Sequence, residues 1–120
     1  MADKGSVLII DDKPNMLKML GTLLNDDYDV ATAESAEEGL DKFRENKPDV
    51  VLSDIRMPGM NGMEVLNKVK EENPDTEVIL MTAYAEVSQA VEAVKEGAYH
   101  YVSKPFEPED IQLTLEKALE

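Results

Sequence analysis

The sequence predicts an α/β domain, an open sheet of parallel strands joined by helical crossovers. Five short runs rich in β-branched and apolar residues alternate with five amphipathic patterns. Three of the runs, VLII, VVLS and VILM, are largely apolar on successive residues, as in strands buried on both faces. The segments between the runs place apolar residues three or four apart, as helices lying on a sheet do.

The expected strands are Val7 to Ile10, Asp29 to Ala33, Val50 to Ser53, Val78 to Met81 and Tyr99 to Val102. Leu17, Leu20 and Leu24 mark one face of the first helix, and Leu40 and Phe43 mark the second behind a Ser35-to-Glu38 capping box. The third begins after Asn61, with Glu64 three residues on, carries Val65, Leu66 and Val69 inward, and stops before Pro74. A fourth covers about Glu86 to Glu96 and ends at Gly97. The fifth starts near Pro108 and runs through Ile111, Leu115 and Leu119. No low-complexity stretch or solenoid repeat interrupts the pattern, so residues 1–120 are expected to form one domain.

A chain of 120 residues can bury a real core, roughly two thirds of its unfolded surface. No apolar run approaches the ~18 residues a membrane span requires, so no membrane insertion is expected. The N-terminal segment lacks the basic and apolar regions of a signal peptide, and without cysteine there is no disulfide framework. A cytoplasmic location is the expectation. The formal net charge of -14 argues against direct nucleic-acid binding and favours metal cations as partners. Most of the 26 acidic residues need no role beyond solubility.

In open α/β sheets, ligands bind beyond the carboxyl ends of the strands, at the point where strand order reverses. Asp11 and Asp12 follow the first run, Asp54 the third, Thr82 the fourth and Lys104 the fifth. With strand order 2-1-3-4-5 the first and third strands are neighbours, and their three carboxylates converge. Taken singly, each residue has an ordinary explanation, since aspartates after strands often cap helices or form turns. Taken together they describe a site. Clustered carboxylates repel unless a cation offsets them, and an all-oxygen donor set suits magnesium. Lys104 adds a compact positive charge and Thr82 a hydroxyl, which together fit phosphoryl transfer to a carboxylate nucleophile.

The stretches VLIIDD, LSDIRMPGMNGMEVL, VILMTAYA and GAYHYVSKPF, in this order and spacing, resemble the receiver domain of bacterial two-component response regulators over essentially the whole chain. The details DIRMPGMNG, MTAYA and GAYHYVSKPFEPEDI are most similar to receivers of enhancer-binding, NtrC-type transcription activators. The resemblance implies a flavodoxin-like, doubly wound five-stranded sheet with five helices. It implies transfer of a phosphoryl group from a sensor histidine kinase to Asp54, with magnesium held by Asp11, Asp12, Asp54 and the backbone carbonyl of Arg56. It assigns Lys104 to the family's lysine, Thr82 to the hydroxyl that moves toward the phosphoryl group, and Tyr101 to the aromatic switch. Lys104-Pro105 resembles a pair joined by a cis peptide. Tyr84 and Arg56 occupy positions that border the phosphoryl group. The implied role is signalling, in which the chain promotes only its own phosphorylation and dephosphorylation and is not an enzyme acting on other substrates. The implied responsive face, also a candidate homodimer face, comprises the fourth helix, fifth strand and fifth helix.

Two other classes use related parts. An aspartyl-phosphate hydrolase also pairs an aspartate with magnesium, but here the nucleophile would follow the third strand and no cap domain selects a substrate. A flavodoxin-like cofactor binder needs a phosphate cradle after the first strand, where this chain is acidic. His100, the sole histidine, alternates with Tyr99 and Tyr101 on a strand, which predicts a structural or surface role facing away from Tyr101. Met57, Met60 and Met63 are expected to pack or to anchor a loop.

Overall fold

The computed structural model of the protein describes residues 5–57, 59–83, 87–104 and 106–119. Its elements are β1 (Gly5–Ile10), α1 (Pro14–Leu24), β2 (Tyr28–Ala33), α2 (Ala36–Asn46), β3 (Val50–Asp54), α3 (Gly62–Glu72), β4 (Glu77–Ala83), α4 (Val87–Lys95), β5 (His100–Lys104) and α5 (Pro108–Ala118). The strands form one parallel sheet in the order β2-β1-β3-β4-β5, the order expected.

Alternation along the strands divides the core in two. Leu8, Ile10, Val51, Val78 and Leu80 pack with Leu40 and Phe43 of α2, Val65, Leu66 and Val69 of α3, and Ala93 of α4. Val7, Ile9, Val50, Leu52, Ile79 and Met81 pack with Leu17, Leu20 and Leu24 of α1 and with Ile111 and Leu115 of α5. Two helices therefore cover one face and three the other. Met57 is buried, and Met60 and Met63 pack partly buried against the first cluster, as packing residues.

Two strand ends differ from expectation in ways that bear on the site. β3 extends to Asp54, which is in register with Met81 while the next amide, Ile55 N–H, donates to Met81 carbonyl at 3.0 Å. β5 begins at His100 and extends to Lys104, paired with Ala83. Both shifts bring site residues into the hydrogen-bonded ladder.

The N-caps of α2 and α3 and the end of α4 follow local chemistry. Asn61 Oδ1 accepts from Glu64 N–H at 3.0 Å, and Glu64 Oε1 accepts from Asn61 N–H at 3.4 Å, closing a capping box. At α2, Ser35 Oγ accepts from Glu38 N–H as expected, but the Glu38 carboxylate reaches one residue further back, to Glu34 N–H. α4 ends at Lys95 in a Schellman turn, with Gly97 at φ 119° and Ala98 N–H donating to Ala93 carbonyl. Glu86, the expected start of α4, lies outside the described residues.

Two glycines let helices press against the strand ends. A Cβ at Gly62 would stand 2.5 Å from Asp54 carbonyl oxygen and 2.8 Å from Ile55 Cα, and Gly62 N–H donates to Ile55 carbonyl at 2.8 Å. A Cβ at Gly39 would meet the side chain of Ile10, one residue before Asp11. Backbone cannot yield as a side chain can, so Gly62→Ala should cost about 1–3 kcal/mol in urea unfolding. Gly39→Ala should cost less once Ile10→Val trims the contacted side chain.

Candidate functional site

At the carboxyl ends of β1 and β3, neighbours at the switch point, carboxylate oxygens of Asp11, Asp12 and Asp54 all lie within 4.8 Å of one another. Asp11 is fully buried, Asp54 is 4% exposed, and Asp12 is partly exposed. Asp11 is fixed through its N–H, which donates to Ala33 carbonyl at 3.1 Å, and through Oδ1, which accepts from Lys13 N–H at 2.9 Å.

Strand alternation decides which groups meet. Asp11 shares its face with Ile9, Asp54 with Leu52 and Lys104 with Val102, all members of the α1 and α5 side of the core. Lys104 Nζ thus stands 3.3 Å from Asp11 Oδ2 and 3.2 Å from Asp54 Oδ2. The ammonium bridges two buried carboxylates.

Burial raises the Asp54 pKa above its ordinary value; Lys104 acts in the opposite direction, Asp11 adds to the rise, and Lys13 lowers it. Desolvation therefore outweighs the lysines. Asp54 is held in an environment with too little positive charge for its ionised form.

Around Asp54 the backbone is tightly held. Ser53 Oγ, itself buried, donates to Asp54 carbonyl at 3.0 Å, alongside the Ile55 and Gly62 bonds described above. Ser53 was visible in the sequence only as the one polar residue of VVLS.

The donor set fits a hard divalent cation. It is made of oxygens alone, it carries excess negative charge, and Asp12 Oδ1 is buried with no hydrogen-bond partner among the described residues. Arg56 lies exposed in the loop two residues after Asp54.

Thr82 is fully buried at the end of β4, one residue past the partner of Asp54 and opposite Ser103. Tyr101 is opposite Leu80 and packs half-buried on the α2, α3 and α4 side of the core. Thr82 and Tyr101 therefore share a sheet face, and it is the face opposite the Lys104 bridge. His100, on edge strand β5, is exposed as expected, yet its ring still lies 5.4 Å from that of Tyr101 and tilted against it. Pro105 and Tyr84 lie outside the described residues.

An open, doubly wound α/β domain with an acidic, lysine-bridged site at its switch point defines a class, and comparison supplies the family. Residues 7–116 match the response regulator receiver domain family, and the chain belongs to it. The regulatory protein AtoC of Escherichia coli K12 is 43% identical over 95% of this chain and 25% of its own length. The transcriptional regulatory protein ZraR of the same strain is 42% identical over 98% of this chain and 27% of its own. This chain spans about a quarter of the length of these relatives. A response regulator receiver domain protein of Clostridium thermocellum superposes with a TM-score of 0.93 at 36% identity, covering 96% of this chain and 94% of that one. The chain is therefore a receiver domain of the two-component response regulators, as its motifs implied.

The raised Asp54 pKa fixes the sign of a pH effect. A carboxyl that binds its proton more tightly folded than unfolded adds stability at pH below its unfolded value, and this is lost as pH rises through its folded value. Asp54→Asn should accordingly melt higher than the parent at pH 7, with the difference shrinking as pH falls toward about 4, the range of ordinary carboxyl pKa values. Thermal melts across pH 4 to 8 would read this directly, and a parent that gains stability relative to the variant as pH rises would contradict it.

Proposed function

We propose that Asp54 is the phosphoacceptor of this receiver domain. The observation that carries the reading is the Lys104 bridge between Asp54 and Asp11 beside an Asp12 oxygen that lacks a hydrogen bond among the described residues. An Asp54 carboxylate oxygen attacks the phosphorus of a phosphohistidine on a sensor histidine kinase, or of a small donor such as acetyl phosphate. The new bond is O–P, the bond broken is N–P or the donor's O–P, and the departing imidazole or acetate retains the electron pair.

Asp11, Asp12, Asp54 and the main-chain carbonyl of Arg56 would hold magnesium, which when bound supplies positive charge opposite the phosphoryl oxygens. Lys104, already within 3.3 Å of both buried carboxylates, is placed to take a phosphoryl oxygen and neutralise part of its charge. Burial of the site strengthens each of these interactions. The acceptor is the chain's own Asp54, so the domain modifies itself and passes the phosphoryl group to no external substrate.

Phosphorylation adds charge and acceptor oxygens, and Thr82 supplies the hydroxyl that answers them. Tyr101, on the same sheet face, then turns inward, which changes the surface of α4, β5 and α5. Val91, Val94, Tyr99 and Leu113 are already exposed there, a suitable apolar surface for a homodimer. A shift from 1:99 to 99:1 needs about 5.5 kcal/mol of differential stabilisation, within reach of a few charge-assisted hydrogen bonds. Residues 1–120 form the receiver unit, located in the cytoplasm and without nucleic-acid contacts of its own; no helix among the described residues is long and apolar enough to cross a membrane. The output controlled is transcription, in line with the relatives named as transcriptional regulators.

Incubation with acetyl phosphate and magnesium should add one phosphoryl group by intact mass, and Asp54→Asn or omission of magnesium should abolish it. Turnover of many phosphate esters per protein would instead indicate a hydrolase. Lys104→Ala should slow labelling at least tenfold, as loss of a charge-stabilising contact does. Sedimentation with and without beryllium fluoride reads the oligomer, and Tyr101→Ala should blunt any change seen.

A further inference from the structure

Lys13 is the wrong residue for its local position. It is the N-cap of α1, where Ser, Thr, Asn or Asp would accept a helix amide; its side chain makes no capping bond, and its charge faces the positive end of the helix. A residue that violates a local rule next to a functional site points to a compensating interaction there.

The compensation is at Asp12. Among the described residues Lys104 bridges Asp11 and Asp54 and leaves Asp12 out, while Lys13 Nζ stands 3.7 Å from Asp12 Oδ1, the oxygen with no hydrogen bond among them. The Lys13 backbone is pinned to the site by its N–H bond to Asp11 Oδ1, whereas its side chain is 66% exposed and free to swing.

We infer that Lys13 is a tethered cation that competes with a divalent metal for Asp12 and so sets the metal affinity of the site. The inference rests on the metal-site reading above. A divalent ion reaching Asp11, Asp12 and Asp54 meets the ammonium already beside one of its ligands, and the side chain must move out into water for the ion to settle. The cost of moving an exposed lysine is small, so binding is weakened and not blocked. Lys13 is thus a residue that tunes occupancy without itself taking part in phosphoryl transfer.

The test is a direct binding titration, with manganese as the probe read by loss of its free-ion EPR signal and magnesium added as competitor. At low ionic strength Lys13→Met should tighten binding about three- to tenfold, Lys13→Glu should tighten it further, and both differences should shrink in about 0.5 M salt. Lys18→Met removes the same charge from an exposed position further along α1 and should change affinity less than Lys13→Met does. Asp12→Asn should weaken binding. If the parent binds metal, Asp12→Asn weakens it and Lys13→Met leaves it unchanged, the inference fails and the metal site stands. Equal tightening by Lys18→Met would reduce the effect to net charge and also overturn it. No binding by either the parent or Lys13→Met would overturn the metal-site reading and this inference with it.

Discussion

The constraint on which the rest depends is the confinement of three carboxylates to one end of a sheet, with Lys104 bridging the two that are buried. A buried carboxylate without compensation is costly enough that it would normally bind a proton. Here Lys104 offsets part of that cost for Asp11 and Asp54, and the remainder is evident in the raised pKa of Asp54. The parallel sheet makes this confinement unavoidable. All its strands end on the same side, and the order β2-β1-β3-β4-β5 sets the ends of β1 and β3 next to each other.

Helix packing then holds the charges in place. Gly62 allows α3 to touch the peptide between Asp54 and Ile55, and Gly39 allows α2 to sit over Ile10, so neither strand end can relax outward to dilute its charge in water. Ser53 adds a hydrogen bond to the Asp54 carbonyl from within the apolar core. The sheet also separates two groups of side chains. Alternation directs Asp11, Asp54 and Lys104 toward the α1 and α5 side, and Thr82 and Tyr101 toward the α4 side. The lysine-bridged acidic cluster on one face is next to a packed, half-buried tyrosine on the other.

Much of this was legible in the sequence because each part has a strong local signal. Apolar runs such as VILM marked central strands, Asn61 and Glu64 marked a capping box, and aspartates directly after strands marked the site edge. Strand ends were read one or two residues off where polar residues joined the ladder, as Asp54 does in β3 and Ser103 and Lys104 do in β5. The ladder depends on partners in distant strands, which a local pattern does not contain. Lys13, Ser53 and Gly62 were missed for a related reason. A lysine beside acids reads as a solvated charge, a serine in a strand as an imperfect repeat, and a glycine after a cap as part of a turn. Each acquires meaning only from a group far away in the chain or from the geometry of a helix end.

The same shortage of positive charge joins stability to signalling. In water a new phosphoryl group would be screened within a few ångströms, but at a buried strand end its field acts through a medium of lower effective dielectric. A site that left Asp54 fully satisfied would have little reason to rearrange when charge was added. One that leaves it under-compensated is sensitive to the cations beside it, Lys104 inside the site and Lys13 at its rim. The chain's 12 lysines and arginines are outnumbered by 26 acidic residues, so the cations placed at the site itself, Lys104 and Lys13, bear most directly on its charge. On the proposed function, the imbalance that makes the resting site unfavourable is the property that would let a change at Asp54 be felt at Tyr101.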